Sequence, residues 1–234
     1  YDGDADRIGA IDERGEILWG DRLMIVYARD ILTQRPGTTF ISEVKASQCL
    51  YDDIAAKGGR PIMWKTGHSL MKAKLKAESA VLAGEMSGHM FFADRYFGFD
   101  DAIYASCRLV EILAKTKRSL SSLVADLPQT TVTPEIRVDC PDTLKFQLVD
   151  QVRTQLAAYL AEGQPVGASN LRMRELVTID GVRAIFEDGW GLIRASNTQP
   201  ALVLRFEAPS PARLDVIRAT IETELAQARR VLST

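Results

Sequence analysis

Along the first half of the chain, apolar positions alternate between a period of two and a helical period. Ile8 to Leu18 (IGAIDERGEIL) reads as two short strands joined by a polar turn at Asp12 to Gly15. From Asp21, a candidate helix cap, Leu23, Met24, Tyr27, Ile31 and Leu32 recur at helical spacing until Pro36 and Gly37 end the run. TTFISEV then predicts a buried strand, Gln48 to Lys57 a helix stopped by Gly58 and Gly59, and PIMWK a buried strand ending at Lys65 to His68. Ser69 to Glu78 is a Lys-rich helix with Lys72, Lys74 and Lys76 on a solvated face. AVLAGEMSGHMFF supplies an apolar strand closed by a Gly-flanked polar turn, the loop ADRYFGFDD follows, residues 101–115 form an amphipathic helix, and Ser119 to Leu127 a short one. Such alternation predicts a layered α/β domain with a mixed sheet, whose ligands bind at the carboxyl ends of the strands. The polar turns at Lys45, Lys65 to His68 and Glu85 to His89 fall there.

Pro128 to Pro134 (PQTTVTP) is polar and bounded by prolines, and is read as a linker and hinge. Beyond it the order changes. The strand EIRVDC precedes a long helix, Asp142 to Ala161, and ELVTIDGVRAIFEDGWGLIRASN predicts strands broken at Asp180-Gly181 and Asp188-Gly189. ALVLRFEA adds a strand, and Pro211 opens a helix carrying Leu214, Ile217, Ile221 and Leu225 at helical spacing. The expectation is a smaller antiparallel α+β domain over residues 129–234, with Trp19, Trp64 and Trp190 in the cores.

Composition narrows the class. With 46% hydrophobic residues the 234-residue chain is not a disordered one, and 29 Lys plus Arg against 31 Asp plus Glu leave a net charge of −2. No global field holds a nucleic acid or a membrane surface, so any phosphate recognition has to be local. Cys49, Cys107 and Cys140 form no CxxC, which argues against a disulfide framework and a structural zinc site and suits a reducing cytoplasm. No apolar run approaches a bilayer span, and the chain opens on Tyr1 rather than Met, which leads us to expect that something has been removed upstream.

Three loops carry chemistry. In DGDADR, Asp2, Asp4 and Asp6 repel one another unless a cation sits among them, and an all-oxygen ligand set selects a hard ion such as Mg²⁺. A solvated acidic turn and the aspartyl nucleophile of a phosphohydrolase are the competing readings. An EF-hand is excluded: Glu13 falls at the right spacing, but Arg7 stands where the turn demands Gly and a strand follows. In GEMSGH, Gly84 lets backbone approach a ligand, and Glu85 and Ser87 suit adjacent sugar hydroxyls, against the blander reading of a strand-ending turn. In RASNTQP, Arg194 offers a planar fork to phosphate oxygens, and Ser196, Asn197 and Thr198 add neutral donors, against an ordinary polar loop. Arg7, Lys45, Lys65, His68 and His89 lie in or beside polar turns, where a ligand role is favoured over a core one.

Taken together, these loops resemble those of the α-D-phosphohexomutases, most closely the bacterial phosphomannomutase/phosphoglucomutase branch. YDGDADR is similar to the family's metal-binding loop, WKTGHS to its third-domain loop, GEMSGH to its sugar-binding loop and RASNTQP to its phosphate-binding loop. The resemblance implies a four-domain enzyme, of which residues 1–18 are the end of the second α/β domain, 19–128 the third and 129–234 the fourth. The domain bearing the phosphoserine has no counterpart here, so this chain alone is not expected to turn over. By the same resemblance Asp2, Asp4 and Asp6 bind Mg²⁺, Lys65, Gly84, Glu85 and Ser87 bind the sugar, Arg194, Ser196, Asn197 and Thr198 hold the non-transferring phosphate, and Arg7, Lys45, His68 and His89 line the reacting group. It further implies hexose phosphates as substrates, an activator of the glucose 1,6-bisphosphate type, no nucleic-acid or membrane partner, a cytoplasmic location and a monomeric full-length enzyme. Met86 in GEMSGH resembles the mannose/glucose branch, since phosphoglucosamine mutases usually carry Gln there and many phosphoglucomutases Glu. Phosphoglucosamine mutase, a non-catalytic sugar-phosphate-binding module and the phosphohydrolase remain the alternatives.

Overall fold

The computed structural model describes residues 1–232, and contacts divide the chain into two compact units that part between Pro128 and Gln129. The first unit opens with the antiparallel hairpin β1 (Ala10–Ile11) and β2 (Ile17–Leu18), whose turn is held by Asp12 accepting the backbone amides of Arg14 and Glu16. It continues with α1 (Gly20–Gln34), β3 (Thr39–Glu43), α2 (Gln48–Ala56), β4 (Arg60–Trp64), α3 (His68–Ala77), β5 (Leu82–Gly84), β6 (Met90–Phe92), α4 (Ala102–Thr116) and α5 (Leu120–Leu123).

The sheet order is β4-β3-β5-β6, parallel except for β6. Parallel strands need cover on both faces, and the alternation of β3 supplies apolar residues to each. Phe40 packs with Leu82, Met90 and Phe92 beneath α1, α2 and α4, whereas Ile41 packs with Ala83 and Phe91 beneath Met71 and Leu75 of α3. The result is an α/β/α sandwich with a mixed sheet, as the sequence led us to expect.

Four local expectations are corrected. Asp21 does not cap α1: Trp19 occupies that position, and the buried Asp21 carboxylate accepts the amide of Ser47, tying α1 to the β3–α2 turn. Trp19 is 54% exposed rather than core. The segment after the GEMSGH turn is a second strand, β6, because an apolar HMFF can pair back onto β5. Lys72 and Lys74 are not freely solvated: Lys72 pairs with Asp100 at 3.2 Å, and Lys74 pairs with Glu78 at 2.6 Å while its ammonium lies 4.2 Å over the Trp64 ring.

The second unit contains β7 (Thr131–Val132), β8 (Ile136–Asp139), α6 (Asp142–Glu162), β9 (Met173–Val177), β10 (Val182–Phe186), β11 (Trp190–Ala195), β12 (Ala201–Ala208) and α7 (Pro211–Leu232). Every pairing is antiparallel, in the order β7-β12-β11-β10-β9 with β8 also on β12. One face is closed by α6 and α7: Leu148, Val152 and Leu156 meet Ile217, Ile221 and Leu225 over Ala184, Ile193 and Phe206. Trp190 is buried, with the Arg183 guanidinium 3.8 Å over its ring and its Nε1–H donating to Glu207. Half of the expected linker is structured, since Thr131 and Val132 pair with Ala208 and Glu207, and Thr133 donates its amide to Phe206.

Candidate functional site

The acidic loop is built from its own residues and then clamped. Arg7 donates Nε to Asp2 Oδ2 at 2.5 Å and its backbone amide to Asp2 Oδ1 at 3.2 Å, folding the loop back on itself. Arg7 also forms an isolated antiparallel bridge with His89, and Ile8 donates to the Gly88 carbonyl at 3.1 Å. Asp2, Asp4 and Asp6 each present a carboxylate oxygen within 4.8 Å of the other two. The Arg7 guanidinium holds the Asp2 carboxyl down at about 2. Burial pushes the Asp6 carboxyl up; His89 partly offsets this, and the neighbouring Asp4 and Asp2 add to it. Asp6 Oδ1 is buried without a hydrogen-bond partner among the described residues. Three carboxylates this close, beside a buried Asp6 oxygen that no hydrogen bond satisfies, fit a small hard cation. A strand and not a helix follows, as expected for a loop that is not an EF-hand.

His89 stands where this loop meets the sheet. Its Nδ1 lies 3.2 Å from Asp100 Oδ2 and 3.7 Å from Asp6 Oδ2. Asp100, which no sequence pattern singled out, also carries the ion pair with Lys72. The exposed Lys65 and His68 bracket the turn into α3, and His68 is the first residue of that helix.

At the carboxyl ends of β3, β4 and β5 two buried acids interlock three loops. Glu85 Oε1 accepts the Gly67 amide at 2.8 Å, and its other oxygen accepts the Ser87 hydroxyl at 3.3 Å. Glu43, fully buried, accepts the Met86 amide at 2.9 Å on one oxygen and the Thr66 hydroxyl at 2.7 Å on the other, with Lys45 Nζ 3.4 Å away. Burial is the main cause that raises the Glu85 carboxyl, and the Glu43 charge adds to it. Glu43 was missed from sequence, although a single acid within the apolar run TFISEV was a readable signal. Lys45, Gly84, Glu85, Ser87 and His89 are thereby gathered on one strand-end surface with Arg7 and the acidic loop.

The second unit carries its own constellation. Arg194, at the end of β11, is buried and donates Nε to Asp180 Oδ2 at 3.1 Å. Gly181 approaches so closely that a Cβ there would lie 2.4 Å from the Ile193 carbonyl oxygen, and its φ of +79° is a region glycine tolerates. The Ser196 hydroxyl accepts the amides of Thr198 and Gln199 at 3.4 and 3.2 Å, which turns the loop and leaves Asn197 and Thr198 exposed. Lys145 of α6, also missed from sequence, donates to the Ser196 and Gln199 carbonyls at 2.6 and 3.0 Å. A buried ammonium thus braces the underside of a loop whose outer edge presents neutral donors.

The first unit thus presents a strand-end surface with an acidic loop and interlocked acids, and the second an arginine-anchored loop, in an α/β protein of the layered kind. Comparison with known proteins gives the family. Residues 19–131 match phosphoglucomutase/phosphomannomutase alpha/beta/alpha domain III, and residues 135–224 match the C-terminal domain of the same family. The phosphomannomutase/phosphoglucomutase of Pseudomonas putida is 46% identical over 225 residues, which is 96% of this chain and 46% of that protein. A phosphoglucomutase/phosphomannomutase family protein from Burkholderia thailandensis superposes with a TM-score of 0.85 at 42% identity, over 98% of this chain and 46% of that one. An Aspergillus fumigatus N-acetylphosphoglucosamine mutase, solved with GlcNAc-6P and magnesium, shares the fold with a TM-score of 0.65 at 17% identity, over 97% of this chain and 48% of that one. The chain belongs to the phosphoglucomutase/phosphomannomutase family of α-D-phosphohexomutases. It spans about half the length of the curated relatives it matches.

Proposed function

We propose that this chain supplies the sugar-binding and phosphate-binding parts of a phosphohexomutase that interconverts hexose 1-phosphate and hexose 6-phosphate. The observation that carries the reading is the strand-end cluster: Glu85 and Ser87 sit in a loop fixed by Gly67 and Glu43, beside Lys45 and the clamped acidic loop. Phosphoryl transfer asks a protein mainly for positioning and charge neutralisation, and these groups supply both.

In this reading Glu85 and Ser87 hold sugar hydroxyls, with Lys65 and the Gly84 backbone alongside. Arg7, Lys45, His68 and His89 offer positive charge or a proton near the reacting phosphoryl group. Arg194, Ser196, Asn197 and Thr198 hold the phosphate that is not transferred, with Asp180 and Lys145 keeping Arg194 and the loop in place. Asp2, Asp4 and Asp6 would hold Mg²⁺, which when bound neutralises phosphate charge. The reading includes a cytoplasmic, monomeric full-length enzyme and an activator of the glucose 1,6-bisphosphate type. Among the described residues no helix is long and apolar enough to cross a membrane.

Titrating the ¹⁵N-labelled chain with mannose 1-phosphate, glucose 1-phosphate and glucosamine 1-phosphate tests the proposal. Saturable shifts at 84–89 and 194–198 that inorganic phosphate does not reproduce, weakened at 194–198 by Arg194→Ala, are expected. Sugar phosphates that act no differently from inorganic phosphate would refute it.

A further inference from the structure

Glu43 is the last residue of β3, the strand with a parallel neighbour on either side. Its register partner on β4 is Trp64, and the adjacent Ser42 pairs with Gly84 of β5. The loops leaving those neighbours therefore start about one strand spacing, ~4.8 Å, to its left and right. One side chain at this point can reach both, and Glu43 does: Met86 amide at 2.9 Å, Thr66 hydroxyl at 2.7 Å, and the Lys45 ammonium, one residue past the strand end, at 3.4 Å.

A carboxylate that gives up all contact with water persists only where the protein replaces the lost hydrogen bonds. Glu43 has 0% exposure, in a strand where Phe40 and Ile41 are equally buried and apolar. Its enclosure keeps it from touching a ligand, whereas Glu85 Oε2 spends its capacity only on the nearby Ser87 hydroxyl at 3.3 Å. Glu43 thus has the contacts of a part that arranges others.

We propose that Glu43 is a positioning residue for the hexose-phosphate site: it sets the Gly84 to His89 loop, the Thr66–Gly67 turn and the Lys45 ammonium in one arrangement without contacting the sugar. The inference rests on the sugar-phosphate reading above and names what assembles that site. A role in filling volume and a role in accepting hydrogen bonds predict opposite rankings of variants. Glu43→Gln preserves size but offers one acceptor oxygen in place of two and no charge for Lys45, whereas Glu43→Asp preserves charge and acceptors but is one methylene short.

The experiment is the ¹⁵N titration with mannose 1-phosphate on wild type, Glu43→Gln, Glu43→Asp and Thr66→Val, with amide exchange recorded at Met86 and Gly67. Thr66→Val removes one arm while leaving Glu43 paired with Met86 and Lys45, so a site effect stays readable where Glu43→Gln folds poorly. Affinity is expected to fall roughly five- to thirtyfold in Glu43→Gln, less in Glu43→Asp, with faster exchange at Met86 and unaltered inorganic-phosphate shifts at Arg194 to Thr198. In Thr66→Val a smaller loss of affinity is expected. Binding by both Glu43→Gln and Thr66→Val within about twofold of wild type, or Glu43→Gln outranking Glu43→Asp, overturns the proposal. Absence of any sugar-dependent shift in wild type refutes the functional reading instead. In that event Met86 and Gly67 exchange decides the role of Glu43, and unchanged exchange in Glu43→Gln overturns it.

Discussion

Replacing Gly88 by alanine should unseat the acidic loop from the sugar-loop turn. Gly88 adopts φ +100°, and a Cβ built on it would lie 2.3 Å from the carbonyl oxygen of Ile8, a backbone atom that cannot swing aside. A non-glycine residue in such a conformation costs about 1–3 kcal/mol. Relieving the overlap also moves Ile8 away, endangering its amide bond to the Gly88 carbonyl and the neighbouring Arg7–His89 bridge, each such bond contributing about 0.5–1.5 kcal/mol. The expected loss is about 2–4 kcal/mol, or roughly 8–15 °C in the midpoint of the transition that unfolds the first unit. Gly9→Ala is the control, since among the described residues nothing lies within 4 Å of a Cβ there and it stands outside the acidic loop, and its effect should stay within about 0.5 kcal/mol. Differential scanning calorimetry of the two variants, paired with Mg²⁺ titration by calorimetry, reads both consequences, and Mg²⁺ affinity should drop only in Gly88→Ala. If Gly88→Ala melts with Gly9→Ala and binds Mg²⁺ as wild type does, the clamp between the two loops has no energetic weight.

Other consequences follow from single side chains. Glu224 of α7 is 1% exposed and neither carboxylate oxygen has a hydrogen-bond partner among the described residues, so burial raises its pKa. A carboxyl held above its unfolded value leaves stability intact below the unfolded pKa of about 4.3 and erodes it as pH climbs toward the folded one. Glu224→Gln should therefore gain about 1 kcal/mol or more over wild type between pH 4 and neutrality in urea denaturation, and a pH-independent difference would disprove this. Asp2, held at about 2 by Arg7, should stay ionised down to about pH 3. In Arg7→Leu its carboxyl should titrate nearer the ordinary value of about 3.9 by ¹³C NMR, and a curve that the substitution leaves in place would remove Arg7 as the cause.

Much of both units was legible because their signals are local. The helical spacing of Leu214, Ile217, Ile221 and Leu225 needs only a few turns of chain to be read, and it is the face of α7 that enters the core. The turns at Asp180-Gly181 and Asp188-Gly189 likewise sit between antiparallel neighbours. Trp19 and Asp21 depart from their local pattern for the opposite reason. Neither an exposed tryptophan before α1 nor an acid that accepts the Ser47 amide can be distinguished from a core residue and a cap until the β3–α2 turn is placed beside them. The strand β6 is not legible along the chain because a short apolar run after a polar turn shows itself as a strand only once HMFF pairs back onto β5.

Periodicity, turn chemistry and charge spacing act over a few residues, so the α/β and antiparallel α+β classes, most of the element order and the residue types of the DGDADR, GEMSGH and RASNTQP loops are written in the chain itself. Which of those charges lose water, and which partners they find, follows from the packing of elements distant along the chain. Glu43 became a shared acceptor for Met86 and Thr66 because the strand order β4-β3-β5 puts its carboxylate between two loops 23 and 43 residues away along the chain. Lys145 came to brace the Arg194 loop because α6 packs over β11 and β12. Burial and hydrogen-bond satisfaction are properties of neighbours in space, and no window along the chain contains those neighbours.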